Sequence, residues 1–172
     1  MLARSTARQV AVAVLLLAAA TIGGALASEH VFGLVPCKLC LWQRQPYYWG
    51  IPLAALVALA PGALVPAGLV AVALVFLGSA GLGAYHSGVE WGWFLGPSDC
   101  GGGAGAAPGA VGDFLNSLSK VRVVSCTEAS WRFFGLSLAG WNALASLAIA
   151  GLAAFGATRP ATQGSSSVSQ YR

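Results

Sequence analysis

A long run without charge is hard to reconcile with water, and this chain has three. No formally charged residue occurs from Gln9 to Ser28, from Gln45 to Val89, or from Phe133 to Thr158. Only 8% of its 172 residues are charged and 57% are hydrophobic, against roughly 25% charged in a soluble domain. So little charge cannot solvate a globular surface, and lipid must replace water over most of it. The net charge is +4, with no lysine- or arginine-rich run. That argues against an electrostatic surface for nucleic acid.

Length then counts the crossings. Val10–Ala27 is nearly all apolar and about 18 residues long, close to the shortest helix that spans a bilayer. The middle stretch is about twice one crossing, and Pro61-Gly62 with Pro66 divides it at a turn between two helices. The expected fold is therefore all-α: an integral membrane four-helix bundle. Residues 1–158 form a single domain with spans at about 10–27, 46–60, 64–84 and 136–157. The polar, serine-rich tail at 159–172 is expected to be disordered. Ser79 and Gly83, or Ala80 and Ala84, share a helix face, and small residues there let helices approach closely.

Charge placement sets the orientation. Arg4 and Arg8 precede the first span, and Arg159 and Arg172 follow the last. All five acids lie between spans one and two or between spans three and four. The basic termini read as cytoplasmic. Two outer loops result, at 28–45 and about 85–135. The second is long, and its Ala110–Val124 segment has apolar residues spaced three or four apart, from Val111 and Phe114 to Val121. That spacing predicts a short amphipathic helix, lying on the membrane surface or covering the bundle. The first span has a second reading. Arg4 and Arg8, an apolar run and Ala25-Leu26-Ala27 also have the form of a cleavable signal peptide.

All four cysteines fall in the two outer loops, where disulfides persist. Cys37-Lys38-Leu39-Cys40 is a Cys-x-x-Cys pair, a spacing that lowers a thiol's pKa, and Lys38 and Arg44 add positive charge nearby. Cys100 and Cys126 have 25 residues between them, so a bond there would close a large loop open to a soluble partner. Three readings compete for these sulfurs: redox chemistry, a structural framework and a four-cysteine zinc site. A Cys-x-x-Cys staple adds little to helices already held by their spans, and zinc would need ligands from two loops. Gly101-Gly102-Gly103 lacks the lysine of a phosphate loop.

Arg44 is either a snorkelling anchor or a group with a task. A cation at the outer end of a span runs against the orientation rule, which favours a task. A guanidinium there would stabilise negative charge developing on a quinone. His86, at the outer end of the third span, is either a hydrogen-bonded interface residue or a proton carrier. His30 and Glu90 are weaker candidates. Trp42, Trp49, Trp91, Trp93, Trp131, Tyr47 and Tyr48 gather at the outer boundary and read as an aromatic belt.

The stretch Pro36-Cys37-Lys38-Leu39-Cys40-Leu41-Trp42-Gln43-Arg44 resembles the Cys-x-x-Cys-x-x-x-Arg signature of the DsbB disulfide bond formation proteins. Tyr85 to Gly92, Pro97 to Cys100, and Cys126 to Ser137 resemble the same family. The likeness runs over roughly residues 10–157. It implies a quinone-dependent thiol-disulfide oxidoreductase of the bacterial inner membrane, with periplasmic cysteines. Its partner would be a DsbA-type thioredoxin-fold oxidase, and its cofactor a membrane quinone, ubiquinone or menaquinone. The resemblance implies redox-active disulfides Cys37–Cys40 and Cys100–Cys126. The partner's thiolate would attack Cys100, the released Cys126 would engage Cys37, and Cys40 would face the quinone. Arg44 and His86 would bind the quinone, no metal is implied, and the first span would be kept. The competing expectations are a relative serving one dedicated partner and a non-catalytic scaffold with structural disulfides.

Overall fold

Thr6 starts the first helix. Its hydroxyl accepts from the Gln9 backbone N–H while the Gln9 side chain accepts from the Thr6 N–H, a capping box that satisfies two end groups. Helix α1 then runs Ala7–His30. Helix α2 covers Lys38–Leu59 and contains Pro46 and Pro52. A 3-10 turn at Gly62–Leu64 leads into α3, Val65–Glu90, which has proline in its first turn. A two-stranded antiparallel hairpin, β1 (Arg132–Phe133) and β2 (Leu136–Ser137), precedes α4, Leu138–Ala157. The computed structural model describes residues 6–97 and 125–160. Cys100, the Gly101–Gly103 stretch, the expected amphipathic helix at Ala110–Val124 and the tail beyond Pro160 lie outside the described residues.

The protein is mostly helical. Among the described residues, three helical stretches are long and apolar enough to cross a membrane: Ala7–His30, Gly62–Glu90 and Leu138–Ala157. Helix α2 is not among them, because Lys38, Gln43, Arg44 and Gln45 crowd its first two turns. The four helices nevertheless share one apolar core, from Val10, Val14 and Ala18 through Tyr47 and Phe76 to Ile149 and Ala153. Around it Leu16, Leu56, Leu59 and Leu74 are each more than 60% exposed. Apolar surface of that extent suits lipid rather than water.

The chain alternates direction, so the C-terminal ends of α1 and α3 meet the N-terminal ends of α2 and α4. At the far end the Ala7 N–H donates to the Pro160 carbonyl at 3.0 Å, and Arg8 reaches the Ala60 carbonyl at 3.0 Å. The most extensive interface is α3 with α4. Of the two small-residue pairs on α3, Ser79 and Gly83 are buried. A Cβ on Gly83 would lie 2.9 Å from the Ala143 backbone nitrogen, so only glycine admits this approach.

Several boundaries differ from the sequence reading. Helix α2 begins at Lys38, eight residues before the expected Pro46, because Cys37 caps it. Helix α3 continues to Glu90, six residues past Ala84. The last helix starts at Leu138 rather than Leu136, because a hairpin intervenes and the fold is not purely α-helical. Its turn holds Phe134 at φ 49° and Gly135 at φ 80°, two successive left-handed residues that match a twisted two-residue hairpin. Ser137 ends the hairpin and caps α4, accepting from the Gly140 N–H at 3.2 Å.

Replacing Gly83 by valine drives a branched side chain into the α4 backbone. We expect Gly83→Val to lose about 1–3 kcal/mol of stability in denaturant titrations of the detergent-solubilised protein. A methyl group on Gly81 would meet nothing within 4 Å, so Gly81→Ala should not lower stability and should raise it by up to about 1 kcal/mol. Equal stability of the two variants would overturn the close-packing account.

Candidate thiol centre and cavity

The cysteine pair takes its geometry from a helix end. Cys37 is the N-cap of α2, with extended backbone (φ −75°, ψ 174°), and its sulfur accepts from the Cys40 backbone N–H at 3.3 Å. The Cys40 sulfur, one turn later, stands 3.1 Å from Cys37 Sγ, in hydrogen-bonding contact. Both cysteines are free thiols, whereas Cys126 is held in a disulfide. The partner sulfur of Cys126 lies outside the described residues.

Cys126 is buried and belongs to the same small core as Cys37, Leu39 and Val89. The sulfurs of Cys37 and Cys126 and a ring nitrogen of His86 lie within 4.8 Å of one another. His86 Nε2 stands 3.5 Å from Cys37 Sγ and 3.8 Å from Glu90 Oε1. The Glu90 side chain is 5% exposed, and its second oxygen, Oε2, has no hydrogen-bond partner. A metal here would compete with the disulfide for Cys126, leaving two of the three donors.

Cys37 sits in a setting that favours its anion. The hydrogen bond with Cys40 does most to pull its pKa down. Burial opposes, and the contact with His86 assists, bringing it to about 4. The helix N-terminus adds to the pull. Cys40 moves the opposite way, because it is hydrogen-bonded with Cys37, is desolvated, and faces a thiolate. Lys38 and Arg44, expected from sequence to favour the thiolate, face elsewhere. Lys38 lies over the Trp42 ring at 5.3 Å, and Arg44 pairs with Glu29 of α1.

Beyond Cys40 opens a cavity of about 720 Å³, lying among α1, α2, α4 and the segment before Cys37. Its walls are mostly apolar, with Ile22, Ala25, Phe32, Leu138 and Trp141 among them. Four functional groups reach it from α2: Cys40, Gln43, Arg44 and Tyr47. Arg44 is held by the Glu29 carboxylate and by the Ala25 carbonyl at 3.3 Å. The size falls within the roughly 300–1,000 Å³ of small-molecule sites, which are commonly apolar with a few polar groups.

Of the residues singled out by sequence, Cys37, Cys40, Arg44, His86 and Cys126 converge at one end of the helices. His86 is not on the cavity wall. It stands behind Gln43, 1% exposed, and its Nδ1 bonds the Gln43 side chain. Tyr47 departs from the expected aromatic belt. It is buried, with its ring edge-on to Phe76 at 5.2 Å. Its hydroxyl reaches Asn142 Oδ1 at 2.8 Å and Ser146 Oγ at 2.9 Å. Sequence reasoning missed Gln43, Asn142 and Ser146. The signal was present: Gln43/Tyr47 and Asn142/Ser146 each stand four apart, so each helix carries a polar stripe.

The family model described as disulfide bond formation protein DsbB matches residues 7–156. The chain is 30% identical over 148 residues to disulfide bond formation protein B of Marinobacter nauticus, covering 81% of this chain and 84% of that relative. It is 30% identical over 152 residues to disulfide bond formation protein B 1 of Pseudomonas aeruginosa, covering 84% and 90%. An uncharacterized Rickettsia prowazekii protein, RP370, is 26% identical over 123 residues, covering 71% of each. No solved structure matches the chain.

The opposed thiols give a pH signature. A thiol with a depressed pKa is ionised above that pKa and loses its anion only as pH falls through it. Alkylation of Cys37 by iodoacetamide should therefore hold a nearly constant rate from pH 8 to pH 6, with Cys40 spared. An ordinary thiol slows about tenfold per pH unit below its pKa of about 8.5. Mass mapping of the labelled cysteine checks both, and a tenfold fall per unit at Cys37 would overturn the thiolate assignment.

Proposed function

The chain belongs to the DsbB family of disulfide bond formation proteins, and from that premise we propose that it reoxidises a DsbA-type periplasmic thiol oxidase and passes the electrons to a membrane quinone. One observation carries this reading. The Cys-x-x-Cys pair stands between two destinations, with Cys37 beside Cys126 and Cys40 on the wall of an apolar cavity. Electrons entering at one sulfur can leave at the other without either helix moving far.

In this reading Cys100 and Cys126 form the disulfide that meets the partner. The partner's thiolate attacks Cys100 Sγ, forming a mixed disulfide and releasing Cys126 as thiolate. Cys126 then attacks Cys37 of an oxidised Cys37–Cys40 pair, and Cys40 departs as thiolate. The partner's second thiolate releases Cys100, which attacks Cys126 and frees Cys37. Thiolates at Cys37 and Cys40 remain, and joining them again gives up two electrons at the cavity. The net change is two partner thiols to one disulfide, with two electrons and two protons leaving.

The cavity fits a quinone: its walls are apolar, and Arg44 provides a fixed donor for a carbonyl oxygen. A bound quinone accepts two electrons and two protons. Glu29 holds Arg44 in place, and the surrounding apolar residues exclude water. The same reading puts the protein in the bacterial inner membrane, with four spans, cytoplasmic termini and periplasmic cysteines. A purely structural role gives no reason for Cys40 to stand on the wall of an apolar cavity.

The test uses full-length oxidised protein in detergent, a reduced DsbA-type protein and a soluble quinone analogue followed by absorbance. Cys40→Ser should abolish quinone loss while the protein still inserts. Arg44→Ala should raise KM for the quinone roughly tenfold, about 1.4 kcal/mol, with a smaller effect on kcat. Quinone loss that survives Cys40→Ser, or none with any thioredoxin-fold donor, would sink the proposal.

A further inference from the structure

Six side chains from three helices form an unbroken hydrogen-bonded line behind the thiol pair. Ser79 of α3 meets Ser146 of α4 at 2.9 Å, and Ser146 meets the Tyr47 hydroxyl of α2 at 2.9 Å. Tyr47 donates to Asn142 Oδ1 at 2.8 Å, and Asn142 Nδ2 donates to Gln43 Oε1 at 2.7 Å. Gln43 Nε2 then meets His86 Nδ1, whose other nitrogen faces Cys37 Sγ. Ser79, Ser146, Tyr47, Gln43 and His86 are all at most 5% exposed.

The line has one consistent direction. A hydroxyl has a single hydrogen. Tyr47 gives its hydrogen to Asn142, so Ser146 must donate to Tyr47, and Ser79 to Ser146. Asn142 accepts at Oδ1 and donates at Nδ2, so Gln43 presents Oε1 to Asn142 and Nε2 to His86. An amide N–H aimed at His86 Nδ1 requires a lone pair there. The ring hydrogen must then sit on Nε2, pointing toward Cys37 and Glu90. Reversing every bond would leave an Nε2 lone pair free to face the Cys37 thiolate and the Glu90 carboxylate. Those two acceptors select the first direction.

We propose that Asn142 and Gln43 are positioning residues that hold His86 in its Nε2–H tautomer, with that hydrogen aimed at Cys37. The functional part rests on the redox reading of Cys37; the tautomer does not. With Nε2–H toward it, Cys37 has a donor for its anion each time it is released as a leaving thiolate. Asn142 touches neither sulfur, yet it sets which nitrogen of His86 faces the chemistry. The logic is that of a carboxylate that fixes a histidine's tautomer in a hydrolytic triad.

The experiment is long-range proton–nitrogen correlation NMR on full-length, histidine-labelled protein in detergent, with His30→Gln to assign the two histidines. Wild type should show His86 protonated at Nε2 only. Asn142→Asp exchanges a donor for an acceptor, which turns Gln43 round and puts Oε1 against His86 Nδ1. The tautomer should then reverse to Nδ1–H. Asn142→Leu should give a mixture. The same variants should lower kcat for quinone reduction about tenfold or more. A wild-type Nδ1–H signal overturns the proposal, as does an unchanged tautomer in the variants that fold. Absent quinone reduction in a protein with the expected tautomer refutes the oxidoreductase reading and leaves the hydrogen-bonded line standing.

Discussion

A glutamine amide buried among apolar helices must satisfy both of its ends within the protein, and Gln43 does so across three helices. Its oxygen takes a hydrogen from Asn142 of α4 and its nitrogen meets His86 of α3, while its own backbone belongs to α2. Leaving either end unpaired at 5% exposure would cost about 1–3 kcal/mol. The three helices are therefore registered at one level, just below the thiol pair. Cys37 meets His86 because Gln43, six residues on, already holds that ring. The core of Tyr47, Phe76 and Ile149 below could pack in more than one way; the amide admits few of them.

The fourth helix is held differently. Helix α1 presents Glu29 and the Ala25 carbonyl to Arg44, a charge-assisted contact between partly buried groups. The guanidinium thus lies on the cavity wall with its charge balanced and its direction fixed. Below it Ile22 and Ala25 supply apolar wall. The cavity exists where α1 leans on α2 through this pair instead of packing into it. A snorkelling arginine, free to reach the headgroups, would leave the same space without a directed donor.

Much of this was legible in the chain. Uncharged runs marked the long helices, and the Cys-x-x-Cys-x-x-x-Arg spacing named Cys37, Cys40 and Arg44. Hydropathy misplaced the ends, because charge-free length says where lipid can lie and not where a helix is capped. The N-cap at Cys37 and the Ser137 cap decide those ends by local hydrogen bonds. The hairpin depends on Phe134 taking a left-handed φ, which an aromatic side chain does not advertise. Tyr47 looked like one of a belt with Tyr48 and Trp49. Neighbouring residues on a helix point about 100° apart, and only Tyr47 turns inward. Asn142 and Ser146 lay in a run read only for its hydropathy; the partner that gives them meaning is ninety-nine residues away in sequence.

One contact pushes the two thiols in opposite directions. While both are free, the Cys37 pKa is pulled down and that of Cys40 is pushed up. Cys40 is held protonated chiefly by its bond to the Cys37 thiolate, and then by burial and by that thiolate's charge. A covalent bond from Cys37 to Cys126 removes the first and third causes together, because a disulfide sulfur has no charge and accepts weakly. Two of the causes that keep the hydrogen on Cys40, at the cavity wall, fall away with that bond, while burial and the charge of Glu90 remain.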